Sequence, residues 1–159
     1  MEKEVKKENK NLPLFIIIGA VALVAIIFLI VNRTQTVTCT IHNDQSASNY
    51  KIDTTYLIKA RRGSVYNIKI DEVVVSKNTT ILSFFEKKLS EKYDKDMYKV
   101  NTNSANEKVT ISSSINLNKG NVEKFVSENE AIKEKVKKSN ALSLENAKAL
   151  YESLGATCK

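Results

Sequence analysis

Two cysteines are the residues of this chain with the clearest potential chemistry. Cys39 and Cys158 lie 119 residues apart and are the two cysteines of the sequence. An even count in an oxidising compartment permits a structural disulfide that ties the two ends of one domain together. Two free thiols are an alternative, as is a redox-active pair, although such pairs usually have a CxxC spacing that is absent here. The sequence favours a structural disulfide between Cys39 and Cys158.

The single histidine, His42, lies three residues after Cys39. On one strand, residues three apart point to opposite faces, so Cys–His catalysis is geometrically unattractive. A metal site lacks ligands at a suitable spacing. The nearest approaches to paired carboxylates are Asp71–Glu72 and Asp94–Asp96, which read as solvated turns. We therefore predict no catalytic, cofactor-binding or metal-binding residues, and no cofactor.

The chain has a formal net charge of +7, and its basic residues are scattered with acidic residues between them. This distribution makes nucleic acid a poor partner. The densest basic positions could contact anionic lipid headgroups or wall polymers, or could be solvated surface: Arg61, Arg62, Lys133, Lys135, Lys137 and Lys138. Three tyrosines are expected to pack in the core or on a sheet face, with a ligand platform as the less favoured alternative: Tyr50, Tyr56 and Tyr66.

Alternating apolar and polar residues predict five strands, over residues 34–42, 50–60, 66–75, 97–103 and 109–117. The first strand should point Cys39 inward. Gly63 can supply the positive φ of a turn between the second and third strands. The alternation changes phase at Asp71–Glu72, which predicts a bulge or a change of pairing there.

Three- and four-residue spacings predict three helices: one over 79–94 capped within 78–80, one capped by Asn121, and one from Ser143 to Gly155. Grouped strands followed by helices favour an α+β fold, an antiparallel sheet of about five strands with about three helices on one face. The expected buried positions are Ile81, Leu82, Phe85, Leu89 and Tyr93, then Val122, Phe125, Val126, Ile132 and Val136, then Leu144, Ala147, Leu150, Tyr151 and Leu154.

An uncharged apolar run over residues 14–31 precedes this domain. As a helix it would extend roughly 27 Å, close to the thickness of the bilayer core. A cleaved signal or a buried core helix is the alternative, but the run is long for the first and has no polar face for the second. Four lysines before it favour a cytoplasmic N-terminus. The expected domains are a cytoplasmic tail (1–13), a transmembrane helix (14–31) and an extracytoplasmic α+β domain (32–159).

Several segments together resemble the YehR-like lipoprotein family of small envelope proteins. They are Cys39-Thr40 ahead of Tyr50 and Tyr56, the long strand before Asn118-Lys119, and an ending with Ser143-Leu144, Leu150 and Leu154-Gly155-Ala156. The resemblance covers roughly residues 36–159. It implies a fold of sheet and helices and carries over no catalytic residue. The family is attached to the membrane by a lipidated cysteine after the signal, whereas this chain has no cysteine in or just after the apolar run.

These observations predict a single-pass protein of the cell membrane, with its C-terminal domain outside the cell and the lipid bilayer as the partner of residues 14–31. The expected role is non-catalytic binding or scaffolding in a bacterial envelope. The alternative is an envelope enzyme whose site assembles only in the folded chain. Signalling through the short cytoplasmic tail is a third reading.

Overall fold

The computed structural model describes residues 12–93, 95–117, 119–129 and 141–159, and the chain divides between Arg33 and Thr34 into two compact units. The first unit contains α1, Leu12–Val31. Among the described residues, no helix is both long enough and apolar enough to cross a membrane. The assignment of residues 14–31 to a bilayer stays a prediction.

The second unit is built on a six-stranded antiparallel sheet of order β4-β5-β3-β2-β1-β6. The five predicted strands are all present, and their bounds differ from the prediction by up to three residues. A sixth strand of two residues, β6, extends the sheet beyond β1 and was not predicted. The strands are β1 Thr34–Gln45, β2 Tyr50–Arg61, β3 Ser64–Val75, β4 Lys99–Ala105, β5 Lys108–Asn116 and β6 Thr157–Cys158.

Three helices accompany this sheet: α2 Thr79–Lys92, α3 Lys119–Glu128 and α4 Leu144–Ser153. Asn78 caps α2 by accepting from the Thr80 N–H at 2.9 Å, and Ser143 caps α4 by accepting from the Asn146 N–H at 3.1 Å. The predicted cap Asn121 was wrong, because α3 already begins at Lys119. With α1, the described chain is an α+β protein of six strands and four helices, and the short turn Ser46–Ser48 is 3-10 helix.

One face of the sheet forms the core together with α2, α3 and α4. The register places Cys39 beside Tyr56, Tyr56 beside Ile70, and Ile70 beside Ser113. All four of these side chains are buried, as are the predicted core positions Leu82, Tyr93, Val122, Phe125, Val126, Ala147, Leu150 and Tyr151. The prediction for Leu154 was wrong, because this side chain is 57% exposed. Ile132 and Val136 lie outside the described residues.

The phase change predicted at Asp71–Glu72 was wrong. The irregularity of the β2–β3 pair lies between Lys59 and Ala60, close to the hairpin turn. Beyond it, alternate residues of β3 are buried without interruption as far as Val74. Glu72 therefore points into the core and is not a solvated turn residue, whereas Asp71 is on the opposite face.

The C-terminus is fastened to β1 at the edge of the sheet. Cys39 and Cys158 are opposite each other in the β1–β6 register, and a disulfide joins them, as the sequence favoured. Thr38 and Lys159 exchange two backbone hydrogen bonds next to it. Closing a loop of this length stabilises a fold by about 4–5 kcal/mol in the chain-entropy model.

Candidate functional site

A cavity of about 260 Å³ lies where the C-terminal ends of α2, α3 and α4 meet the core face of the sheet. We call it the tyrosine cavity, because four buried tyrosines contribute to its wall. Its lining residues are Tyr56 and Ile70 from the sheet, Lys92, Tyr93 and Tyr98 from the end of α2 and the connection to β4, Phe125, Glu128 and Asn129 from the end of α3, and Tyr151 and Leu154 from the end of α4.

The tyrosine rings form two pairs. Tyr56 and Tyr151 are stacked, with centroids 4.1 Å apart and planes at 26°, and Tyr93 and Tyr98 are tilted, with centroids 5.1 Å apart. Tyr56 reaches this position because it follows the inward alternation of β2, while Tyr151 lies on the buried face of α4. The side chains are 4–9% exposed. The wall is therefore a packed aromatic surface, and its ring positions are fixed by the sheet and the helices.

Glu72 holds two of the wall residues in place. It is 4% exposed, and its oxygens accept hydrogen bonds from Lys92 Nζ at 2.8 Å and from the Tyr93 hydroxyl at 2.7 Å. The Lys92 ammonium also lies over the Tyr93 ring, 5.3 Å from its centroid. A buried carboxylate is stable only when it is paired and hydrogen-bonded, and Lys92 and Tyr93 meet both needs.

Burial raises the pKa of Tyr56 and Tyr93, and the negative charge of Glu72 raises both further. The neighbouring Ser113 hydroxyl has a smaller, opposite effect on the pKa of Tyr93. The Ser113 oxygen has no hydrogen-bond partner among the described residues, so it acts on Tyr93 through proximity and not through a hydrogen bond. Both phenols remain protonated at physiological pH.

The other two tyrosines behave in the same way. Burial together with the charge of Glu128 raises the pKa of Tyr98 to about 12. Burial raises the pKa of Tyr151 as well, with smaller effects from Tyr98 and Tyr56. The cavity thus offers neutral hydroxyl donors and aromatic faces, and it offers no phenolate base.

A larger depression of about 700 Å³ lies at one end of the sheet, between the β1–β2 turn, the β3–α2 connection and the β4–β5 turn. Several of its polar groups are already engaged with the chain. Lys51 pairs with Asp44 at 2.7 Å, and the Asn78 side chain accepts from the first N–H groups of α2. The buried Ser76 hydroxyl donates to the Asn49 carbonyl and accepts from the Asn78 N–H. We therefore place the candidate site at the tyrosine cavity.

Neither a family model nor a curated protein matches the chain. Among solved structures, the NMR structure of Escherichia coli YehR is similar, with a TM-score of 0.50 and 12% sequence identity, over 80% of this chain and 91% of that one. The fold is YehR-like. An NMR structure of a Streptococcus pneumoniae TIGR4 protein aligns with a TM-score of 0.44 and 13% identity, over 80% of this chain and 86% of that one. At 12% identity the likeness to YehR shows the fold alone.

His42 and the two cysteines do not line this cavity, whereas Tyr56 lines it and Glu72 supports its wall. His42 Nδ1 and Asp53 Oδ1 are 2.7 Å apart on exposed positions, and His42 is on the opposite face from Cys39. The described residues contain no group of three or more His, Cys, Asp or Glu side chains placed to hold a metal ion. Asp94 and Lys133, Lys135, Lys137 and Lys138 lie outside the described residues.

Of the three tyrosines considered on the sequence, one reaches the cavity of the YehR-like domain. Tyr56 lines it, whereas Tyr50 packs on Phe85 with centroids 4.9 Å apart. Tyr66 is 39% exposed, with Arg61 Cζ 5.8 Å from its ring centroid. The prediction that Tyr50 and Tyr56 pack within the fold is therefore confirmed, whereas Tyr66 is a surface residue.

Sequence reasoning predicted Tyr56, Tyr93 and Tyr151 as packed residues, but it missed the parts that Glu72, Lys92 and Tyr98 play in the site. The one available signal was the spacing of Ile68, Ile70, Glu72 and Val74, which keeps period two through the charged residue. Reading Glu72 on that face would have predicted a buried carboxylate in need of partners. Its partners Lys92 and Tyr93 come from a helix end, and no sequence spacing joins them to β3.

Proposed function

We propose that this protein is a single-pass membrane protein that presents its YehR-like domain outside the cell as a non-catalytic binding domain. The binding role rests on one observation, the cavity walled by four buried, protonated tyrosines. Small-molecule sites are concave and combine aromatic or apolar side chains with a few fixed polar groups. The tyrosine cavity combines aromatic faces with the polar groups of Lys92, Glu128 and Asn129.

The membrane anchor is supported by α1. From Val21 to Val31 its large apolar side chains are 47–71% exposed, and a soluble protein rarely exposes a continuous apolar surface of this kind. A bilayer would cover them, and the lysines before the run favour a cytoplasmic N-terminus. Partners beyond the bilayer would be anionic lipid headgroups or wall polymers, met by exposed basic residues such as Arg61 and Arg62.

The alternative of an envelope enzyme needs a group that moves a proton within the cavity. Both oxygens of Glu72 are engaged with Lys92 and Tyr93, and the raised pKa values keep the tyrosines from acting as bases. Glu128 is a carboxylate at the wall, but it is exposed, and no second carboxylate lines the cavity with it among the described residues. Binding is therefore the function that the geometry favours.

The anchor can be tested with the full-length protein carrying a C-terminal epitope. Protease added outside whole cells should digest the domain while a cytoplasmic marker stays intact. The double variant Val24→Arg/Ile27→Arg should no longer be retained in the membrane, because each arginine costs roughly 2.5–3.5 kcal/mol at a helix centre. The matched variant Thr34→Arg/Thr36→Arg, outside the run, should be retained. Protection of the domain until the cells are lysed would show that the proposed orientation is wrong.

The binding role can be tested by native mass spectrometry of protein released from its own membrane. A bound small molecule should appear as a mass adduct on the wild type and on Tyr66→Leu, an exposed tyrosine outside the cavity. The adduct should be lost from Tyr98→Leu, which removes a cavity ring. An adduct of equal occupancy on both variants would place binding elsewhere, and a wild type without an adduct would contradict the proposed role.

A further inference from the structure

The tyrosine cavity receives the C-terminal ends of three helices. Lys92 and the cap Tyr93 end α2, Glu128 ends α3, and Tyr151 and the cap Leu154 end α4. Unsatisfied carbonyls give a helix C-terminus a partial negative charge, which favours a cation nearby. Three such ends meet at this cavity, but several of their last carbonyls, such as those of Phe125 and Tyr151, already accept hydrogen bonds from the chain. The charged side chains therefore set the potential at the wall.

Two carboxylates add to this potential. Glu72 lies behind the Tyr93 hydroxyl, and Glu128 lines the cavity itself. Both charges act on the tyrosines of the wall: Glu72 raises the pKa of Tyr56 and Tyr93, and Glu128 raises the pKa of Tyr98. Because Lys92 is paired with Glu72, Glu128 is the unbalanced charge among the lining residues, and it favours a cation over an anion here.

The chain already places a cation of its own at this wall. The Lys92 ammonium lies 5.3 Å from the Tyr93 centroid, within the range of a cation–π contact. Its side chain is 51% exposed, so the flexible stem can carry the ammonium into water without unfolding α2. If Lys92 moved away, the position of its ammonium would still be lined by the face of the Tyr93 ring and by one oxygen of Glu72.

The size of the cavity limits what can enter. At about 260 Å³ it is below the usual range of about 300–1,000 Å³ for drug-sized ligands, so it suits a compact headgroup. Aromatic walls with nearby carboxylates are the surroundings that recognise substituted ammonium groups. We propose that the tyrosine cavity binds an organic ammonium group, and that the ligand displaces Lys92 from the Tyr93 ring. The inference rests on the proposed binding role and gives it a ligand class.

Tyrosine fluorescence reports directly on this site, because the chain has six tyrosines and no tryptophan, and four of those tyrosines line the cavity. Full-length protein in a maltoside detergent, which carries no cationic group, is titrated with tetramethylammonium chloride. Sodium chloride is the ionic-strength control, and tert-butanol is the neutral ligand of similar shape. We expect saturable binding of tetramethylammonium in the millimolar range and no saturation with the other two.

Variants locate the binding event. Tyr98→Leu should weaken binding about tenfold, and Tyr66→Leu should leave it unchanged. Lys92→Met should tighten binding about threefold or more, because the internal competitor is gone, while Lys88→Met removes the same charge from an exposed position of α2 and should have little effect. Lys92→Arg gives a second measure if Lys92→Met fails to fold. Its planar guanidinium stacks better on a ring, so it should weaken binding.

Equal saturation by tert-butanol, equal affinity of Tyr98→Leu and Tyr66→Leu, or weaker binding by a folded Lys92→Met protein would each overturn the ammonium assignment. The native mass adduct separates this failure from failure of the proposed function. An adduct that depends on Tyr98, with no response to tetramethylammonium, would keep the binding role and reject the ligand class.

Discussion

The Tyr93 hydroxyl donates a hydrogen bond of 2.7 Å to Glu72 Oε2, across the boundary between the end of α2 and the middle of β3. Both side chains are buried, and Lys92 completes the arrangement from the solvent side. This hydrogen bond joins the segment that follows α2 to the centre of the sheet. It also fixes the position of the Tyr93 ring, over which the Lys92 ammonium lies at the tyrosine cavity.

Removing that hydrogen bond should destabilise the fold. In Tyr93→Phe, one oxygen of a buried carboxylate loses its donor, so we expect the free energy of unfolding to fall by about 1–3 kcal/mol. Tyr66→Phe is the matched control on an exposed tyrosine and should change it by less than about 0.5 kcal/mol. Denaturant unfolding followed by circular dichroism measures both. Equal stabilities of the two variants would mean that the Glu72–Tyr93 bond does not support the fold.

The disulfide should contribute a large share of the stability. Replacing Cys39 and Cys158 together by alanine should lower the free energy of unfolding by up to about 4–5 kcal/mol, because the unfolded chain regains the freedom of a long loop. Mass spectrometry of non-reduced protein treated with an alkylating reagent, after unfolding, should find neither thiol modified. Alkylation of both thiols without a reductant would rule the disulfide out.

Stability should fall at alkaline pH. The four cavity tyrosines have pKa values raised above the unfolded value of 10.0, so the folded state holds their protons more tightly. Their contribution is complete below pH 10 and is lost as pH rises through the folded pKa, which for Tyr98 is about 12. Unfolding free energies measured from pH 8 to 12 should be level to about pH 10 and then decline. Tyr98→Phe should make this decline shallower. An identical decline in the variant and the wild type would contradict the raised pKa of Tyr98.

A substitution in the β2–β3 turn can measure the cost of backbone strain without any steric clash. Gly63 has a φ of +76°, and a Cβ at this position would meet no atom within 4 Å. Gly63→Ala should therefore lower the free energy of unfolding by about 1–2 kcal/mol through the left-handed conformation and not through a clash. Gly155→Ala, after α4, has the same open surroundings at φ +91° and should behave alike. No loss of stability in either variant would show that the turn relaxes without strain.

Patterns within one element predicted most of this fold. Alternation located the five long strands, pointed Cys39 inward and identified the turn at Gly63, because each depends on neighbouring residues. The strand β6 could not be predicted from the sequence, because two residues are too few to show an alternation of apolar and polar side chains. Its place in the sheet comes from pairing with β1 beside the disulfide.

The site was harder to predict because it is a product of topology. Glu72 looked like a turn residue because charge suggests solvent, yet its burial is compensated by Lys92 and Tyr93, twenty and twenty-one residues further on. Tyr56 and Tyr151 were each predicted correctly as packed residues. Their stacking across ninety-five positions depends on where α4 crosses the sheet, and neither segment encodes that by itself.

Tyrosine-selective NMR of the full-length protein, labelled on its tyrosine rings, tests the cavity as the binding site most directly. During titration with tetramethylammonium, the ring signals of Tyr93 and Tyr98 should shift along a saturable curve, while the signal of Tyr66 stays in place. In Tyr98→Leu, the shift of Tyr93 should need about tenfold more tetramethylammonium. Shifts confined to Tyr66, or the same linear drift of every ring, would contradict the account.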